Sequence, residues 1–422
     1  MRIRIKEQPA TEKDIRRIIE FGARPEEIVT RQRLLKHLTS SCYLDGDDPK
    51  RVLTVRERLL EQYKNDGLVL FLGAGVSLGS GIPNWNTLIE NIFRKIGIAP
   101  NIGRRADRSS IYAQFELAAL RSGEREDFCK NLYDCLYSHA GFKHIKELLK
   151  KVPAKYSDQP GWKGWGDLKN KLAKNETLRD VGDLLIVDDA KKHAPKRNPR
   201  IHAVLTVNAD NLLELYCLAK TSGSEQCPVT MVDRASVGDD PDAISVYHLH
   251  GTLDARDENF MNPCRGIADD MQAITDELLP RLVFRESEYY ETIADPVSFV
   301  NHTPQSYFQR HNILFIGTSL EDLNIRRWLS SSFKERVKER TKYLQELHCK
   351  KYPDAGFEAK LESVRHFWLR PRNEKIDGKK ISGEMVKLVE LVMCELGIQI
   401  VWCDDLADIQ RCIRELKERG QN

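Results

Sequence analysis

Five consecutive apolar residues, Leu68 to Leu72, stop abruptly at Gly73-Ala74-Gly75, the pattern of a fully buried strand that turns as soon as it leaves its sheet. The pattern returns three times. Ala203-Val204-Leu205-Thr206-Val207 ends in Asn208-Ala209-Asp210, residues 243–249 end in His250-Gly251, and Ile313-Leu314-Phe315-Ile316 ends in Gly317-Thr318-Ser319. Apolar residues at helical spacing follow these runs at 85–96, at 212–220 and from about 321. Later apolar runs at 364–369 and 398–402 enclose a helical pattern at 384–396. Strands alternating with helices predict an α/β fold, a Rossmann-like doubly wound parallel sheet with helices on both faces.

Two stretches depart from that alternation. Residues 12–21, 25–38 and 52–63 predict a helical N-terminal extension over 1–62, with a turn signal at Asp45-Gly46-Asp47-Asp48-Pro49. From about 103 to 200, helical patterns at 110–121, 126–137, 143–151 and 168–174 leave room for one short strand at 184–187, so this reads as a helical insertion. Trp162 and Trp165 lie in it, either anchoring a loop or lining a pocket. The expected organisation is the extension at 1–62, a catalytic domain at 63–330 that carries the insertion, and an α/β completion of that domain at 331–422.

The four strand tips hold the candidate chemistry. Glycines 73 and 75 allow a tight backbone and close approach by a ligand, and a helix beginning near Val76 would aim its free N–H groups at a phosphate. A plain tight turn needs the same glycines, and Leu78 stands where the dinucleotide fingerprint has its third glycine. Asn208 as a helix cap, His250 as a core histidine and Ser319 as a cap are equally ordinary readings taken singly. In an open parallel sheet, however, ligands bind beyond the carboxyl ends of the strands, where all four tips would converge.

Composition narrows the classes. The chain of 422 residues is 41% hydrophobic and 31% charged, with no apolar run near the ~20 residues of a membrane span. The opening MRIRIKEQPATEKDIRR has no signal-peptide core, so a cytoplasmic protein is expected. A net charge of +3 is too mild for a nucleic-acid binder. Ten cysteines include no CxxC pair, which argues for scattered thiols and against zinc.

With these residues in view, GAGVSLGSGIP at 73–83, TVNAD at 206–210, HLHG at 248–251 and GTSLED at 317–322 resemble, in order and spacing, the signature segments of sirtuins. The resemblance covers roughly residues 65–330. It implies NAD+ as the bound molecule, with Gly73, Ala74, Gly75 and Ser77 around the pyrophosphate and neighbouring ribose, Gly317, Thr318 and Ser319 at the adenosine half, and Ile82, Pro83 and Thr206 as further cofactor-binding residues. It further implies that Asn208 positions the nicotinamide ribose or the attacking water, that Asp210 contacts the carboxamide, and that His250 is the general base. Those residue types suit the chemistry, since an amide can order hydroxyls and an imidazole can take a proton near neutral pH.

Protein-deacylating sirtuins carry a zinc module with paired CxxC motifs after the HG segment, whereas residues 252–312 hold only Cys264. They also have Asp-Phe-Arg after Gly-Ile-Pro, where this chain has Asn84-Trp85-Asn86. The segment from Phe284 to Tyr290 and the run GTSLEDLNIRRWL resemble instead the zinc-free, sirtuin-like enzymes of bacterial anti-phage defence, which hydrolyse NAD+ and starve an infected cell. The resemblance therefore implies an NAD+ glycohydrolase without metal, working as a homo-oligomer or beside a separate HerA-type ATPase or an Argonaute. Protein deacylation, ADP-ribosyl transfer, and a non-catalytic module that senses NAD+ or ADP-ribose are the alternatives.

Overall fold

A computed structural model describes residues 43–44, 52–98, 111–123, 125–137, 142–151, 164–189, 194–221, 227–233, 240–256, 282–347, 355–372, 375–376, 379–380 and 383–420. The helices expected at 12–21 and 25–38, the turn at 45–49 and Trp162 lie outside the described residues. The chain divides into two units, one of Gly67–Tyr307, Phe315–Ser319 and Cys412–Asn422, the other of Met1–Asp66, Phe308–Leu314 and Leu320–Arg411.

The first unit is built on β1 (Leu68–Leu72), whose five residues are all buried. Two single turns of 3-10 helix, Ala74–Val76 and Leu78–Ser80, lead to α1 (Trp85–Lys95). The insertion supplies α2 (Ile111–Ser122), α3 (Arg125–Tyr137), α4 (Lys143–Leu149), α5 (Gly164–Leu172) and α6 (Glu176–Leu185). A hairpin follows, β2 (Ile186–Asp189) with β3 (Ala194–Arg197), and then β4 (Ile201–Thr206), α7 (Leu212–Lys220), β5 (Val229–Val232) and β6 (Ile244–His248). Beyond them come α8 (Glu286–Ala294), α9 (Phe299–Arg310) and β7 (Ile313–Ile316), whose last two residues belong to this unit.

Within this unit the strand order is β7-β1-β4-β6-β5, and β1/β4, β4/β6 and β6/β5 pair parallel. The chain leaves β1 on one side for β4 and returns on the other to β7, so β1 sits where the winding reverses, the place at which such sheets bind ligands. Register makes the ends level: Leu72 lies opposite Thr206, and Thr206 opposite His248. On the other flank the Gly73 N–H donates to the Ile316 carbonyl at 3.0 Å.

The second unit holds α10 (Leu323–Leu347), α11 (Ala355–Ser363), β8 (His366–Pro371), α12 (Gly383–Cys394) and β9 (Ile398–Cys403), with the order β9-β8-β7 and β8 parallel to β9. Among the described residues, the parallel α/β sheet expected from the sequence is thus present with seven strands.

Three local expectations are corrected. No α-helix begins at Val76: the residues after β1 form the two short turns, Gly81 takes a left-handed φ of 87°, and α1 starts only at Trp85, where the Asn84 side chain accepts from the Thr87 N–H at 2.9 Å. The region expected as a helix at 52–63 is strand at Val52–Leu53 and helix at Val55–Asp66. The strand expected at 184–187 is helix through Leu185, because Leu178, Val181, Leu184 and Leu185 form one buried helical stripe behind an Asn175 cap. Its continuation, β2, pairs antiparallel with β3 and stands apart from the main sheet. The four-residue β5 carries too short a pattern to register as a strand in the sequence.

Candidate active site

The four tips emerge from adjacent strands, so residues 73–77, 206–210, 248–251 and 317–319 gather at one end of the sheet. The glycines of the first and last are explained by backbone packing. A Cβ on Gly73 would lie 2.6 Å from the Gly317 carbonyl oxygen and 2.7 Å from Thr318, and one on Gly75 would lie 2.7 Å from the Gly317 Cα. Gly317 itself has φ +67°, and a Cβ there would lie 2.7 Å from the Val76 nitrogen. Only two glycine-bearing turns approach this closely. The Gly75 N–H donates to the Gly317 carbonyl at 2.8 Å, while Val76 and Ser77 donate back to Gly73 and Ala74. These amides are therefore engaged within the protein.

Asn208 joins the second tip to the first. Its Nδ2 donates to the Gly73 carbonyl at 3.1 Å, its backbone N–H donates to the Thr206 hydroxyl at 3.0 Å, and that hydroxyl donates to the Leu72 carbonyl at 3.1 Å. These bonds fix which way the amide faces, because only its NH2 can donate. Asn208 Oδ1 is left buried with no hydrogen-bond partner, a costly condition for an acceptor in a protein interior.

Asp210 closes the same corner from the side. Its Oδ1 accepts from the Ser77 hydroxyl at 2.8 Å and from the Leu212 N–H at 3.3 Å. Burial pushes its carboxyl up to about 6, and the charge of Glu214 adds to that; the Ser77 and Leu212 bonds and His248 oppose it. The insertion supports this corner from behind, since Asn175 Nδ2 donates to the Val76 carbonyl at 2.7 Å and to the Ser80 hydroxyl at 3.0 Å.

His250 is fully buried at the third tip. Trp85, at the start of α1, meets its ring edge-on with centroids 6.2 Å apart, and Phe284 stacks on Trp85 at 4.9 Å. Phe115 packs against both aromatics. The backbone holds the loop in place, with the Val283 N–H donating to the His250 carbonyl at 3.0 Å and the Leu253 N–H to the Ala209 carbonyl at 2.7 Å. Tyr137 of the insertion donates to the Leu253 carbonyl at 2.6 Å.

A cavity of about 10 Å3 lies among Ser77, Thr206, Asn208, Asp210, Glu214 and His248, closed on its apolar side by Leu72, Val76, Leu178, Leu213 and Val246. That is room for roughly one water molecule among polar groups.

Of the residues expected from the sequence, Gly73, Gly75, Ser77, Thr206, Asn208, Asp210 and Gly317 are joined by direct contacts, and Thr318 packs on Gly73. Ala74 lies in the same turn, Ile82 and Pro83 are buried beyond it, and His250 reaches the cluster through its loop and Trp85. Two residues escaped the sequence reading. His248 at the end of β6 and Glu214 on α7 form a buried pair, His248 Nε2 to Glu214 Oε1 at 2.6 Å, while His248 Nδ1 reaches the Asn208 carbonyl at 3.0 Å. The first histidine of HLHG was the only signal for it.

Residues 202–373 match the family model of the SIR2-like domain, so this stretch is similar to sirtuin-like domains. No curated protein matches the chain. The matched stretch contains the tips of β4, β6 and β7 but not that of β1, and the bonds from Asn208 to Gly73 and from Gly75 to Gly317 bring that remaining tip to it. Among the described residues no helix is long and apolar enough to cross a membrane, and no three metal-binding side chains cluster.

Proposed function

We propose that the protein is an NAD+ glycohydrolase, splitting NAD+ and water into nicotinamide and ADP-ribose. The observation that carries this reading is the Asn208 amide, held through its Nδ2 by the Gly73 carbonyl with its Oδ1 buried and unpaired, in a residue that lines a small polar cavity. An acceptor held ready in that way orders a water or a ribose hydroxyl without having to reorganise as the reaction proceeds.

In this reaction the bond from the ribose anomeric carbon to nicotinamide breaks, and its electron pair leaves with nicotinamide. The water oxygen forms the new bond to that carbon, and a water proton passes to the His250 imidazole and then to solvent. Asp210 holds the carboxamide of the departing ring, and the β1 and β7 turns hold the phosphates and the adenosine half. Trp85 and Phe284 cover His250, which keeps bulk water and large acceptors from the reacting carbon. We assign the activity to NAD+ depletion during anti-phage defence, in a homo-oligomer or with a separate ATPase or Argonaute, on the strength of the motif resemblance alone.

The test is nicotinamide and ADP-ribose release from NAD+ by the purified chain and by His250→Ala, with and without an acetyl-lysine peptide. Release that needs no peptide and vanishes in the variant is expected. Undiminished release by His250→Ala would overturn the assignment, and release that depends on the peptide would favour deacylation.

A further inference from the structure

Behind the Asn208 tip lies a charge arrangement that the hydrolytic reading does not use. His248 and the Glu214 side chain are 1% and 13% exposed, and the pair links β6 to α7 across 2.6 Å. The other ring nitrogen of His248 faces a backbone carbonyl, which only accepts, so Nδ1 carries a proton. A carboxylate at Nε2 favours a second proton there, giving an imidazolium that donates at both ends. The carbonyl it holds is that of Asn208.

We propose that the His248–Glu214 ion pair is the positioning element of the site: it holds the Asn208 carbonyl, and through it the side-chain amide, in the geometry the reaction uses. This rests on the role assigned to Asn208 above. The bonds from Gly73 and Thr206 hold the amide from one side, and the imidazolium holds the peptide from the other. Burial by itself would push the His248 pKa down. The charge and hydrogen bond of Glu214, then the Asn208 carbonyl and Asp210, outweigh it and keep the pKa above its ordinary value.

The groups facing the pair restrict what else can titrate. Asp210 stands at the β4 tip; Tyr137 on α3 senses the charges of both Asp210 and Glu214; Cys217 on α7 and Cys227 before β5 sense Glu214. Burial pushes the phenol and both thiols upward, so they stay neutral where the enzyme would work. Among these groups, the charge change that breaks the pair as the pH rises therefore belongs to His248. Raising the pH through its elevated pKa removes the imidazolium and slackens the tip, and activity falls on that limb.

The experiment uses the full chain and the variants Glu214→Gln, His248→Asn and His248→Leu. It reads kcat and KM for nicotinamide release from about pH 5 to about pH 10, beside the thermal midpoint of each. Glu214→Gln should lower kcat by about 10- to 100-fold with KM within about threefold, and move the alkaline limb to lower pH. His248→Asn keeps an N–H near the Nδ1 position and should return kcat to within about tenfold of wild type without that limb; His248→Leu should not. An unchanged kcat and pH profile in Glu214→Gln and His248→Leu would overturn the proposal, as would equal losses in the Asn and Leu variants.

If wild-type protein turns over no NAD+ at all, the hydrolase reading fails separately. Nuclear magnetic resonance of labelled histidine and asparagine side chains then decides the pairing. Two protonated His248 nitrogens at neutral pH, with Asn208 amide signals that shift in Glu214→Gln, support the pair's hold on the tip. A neutral His248, or Asn208 signals indifferent to that substitution, overturns it.

Discussion

The side-chain amide of Asn208 donates to the carbonyl of Gly73 at 3.1 Å, a single bond that joins the carboxyl ends of β4 and β1 across 135 residues of sequence. It gives a buried carbonyl a donor and at the same time decides which way the amide faces. Stability and function therefore part differently in different substitutions.

Asn208→Ala removes one of the two donors to the Gly73 carbonyl and leaves only the Val76 N–H, which should cost about 1 kcal/mol. Asn208→Asp retains an acceptor but turns a second oxygen toward that carbonyl, and should be the less stable of the two. Nicotinamide release should fall about 100-fold or more in both. Denaturant unfolding and the release assay check this, and an aspartate variant as stable as wild type would refute the geometry.

Gly75→Ala places a methyl group 2.7 Å from the Gly317 Cα, backbone against backbone, so the two turns must separate. A loss of about 1–3 kcal/mol is expected, together with weaker NAD+ binding. Gly166, near the start of α5, has nothing within 4 Å of its Cβ position, and Gly166→Ala should instead stabilise by about 0.5–1 kcal/mol. Thermal midpoints that moved the same way in both would count against the tip-to-tip packing.

Asp210 has a carboxyl pushed up by burial to about 6, against 3.8 ordinarily. Its native pKa lies above the unfolded one, so its contribution to stability is fully present below about pH 4 and is lost as the pH rises through about 6. Relative to Asp210→Asn, which stays neutral, the wild type should lose on the order of 2–3 kcal/mol between those limits. Urea titrations of both proteins across that range measure the difference, and a constant difference would disprove the shift.

Phe284 is 1% exposed and stacks on Trp85, which in turn covers the fully buried ring of His250. Phe284→Leu should loosen this cover. Modification of His250 by diethyl pyrocarbonate, followed by mass spectrometry of its peptide, should then be about tenfold faster than in wild type, following the increased population of the open form. Equal rates would mean that the aromatic cluster does not control access.

Much of this was legible along the chain because it is local. A strand buried on both faces must be a short apolar run, and Leu68–Leu72 and Ile313–Ile316 were readable to the residue for that reason. Asn208, Asp210 and His250 were legible because polar groups directly after such runs stand at a sheet's carboxyl edge. The turns after β1 differ from the expected helix because the chain there answers to Gly317 and Asn175, and Gly79, Gly81 and Pro83 weaken a helix locally. His248 lies inside the strand expected at 243–249, and nothing near it in sequence announces Glu214, 34 positions away.

The sequence by itself determined the alternation of strands and helices and the residue types at each strand end, because burial patterns and turn preferences act over a few neighbouring residues. Only the tertiary structure decided that β1 lies between β7 and β4, that Gly75 meets Gly317, that Trp85 covers His250 and that His248 shares a proton-bearing contact with Glu214. Strand order and side-chain pairing arise from packing between distant segments, where shape and charge are matched across the fold and leave no local pattern in the chain.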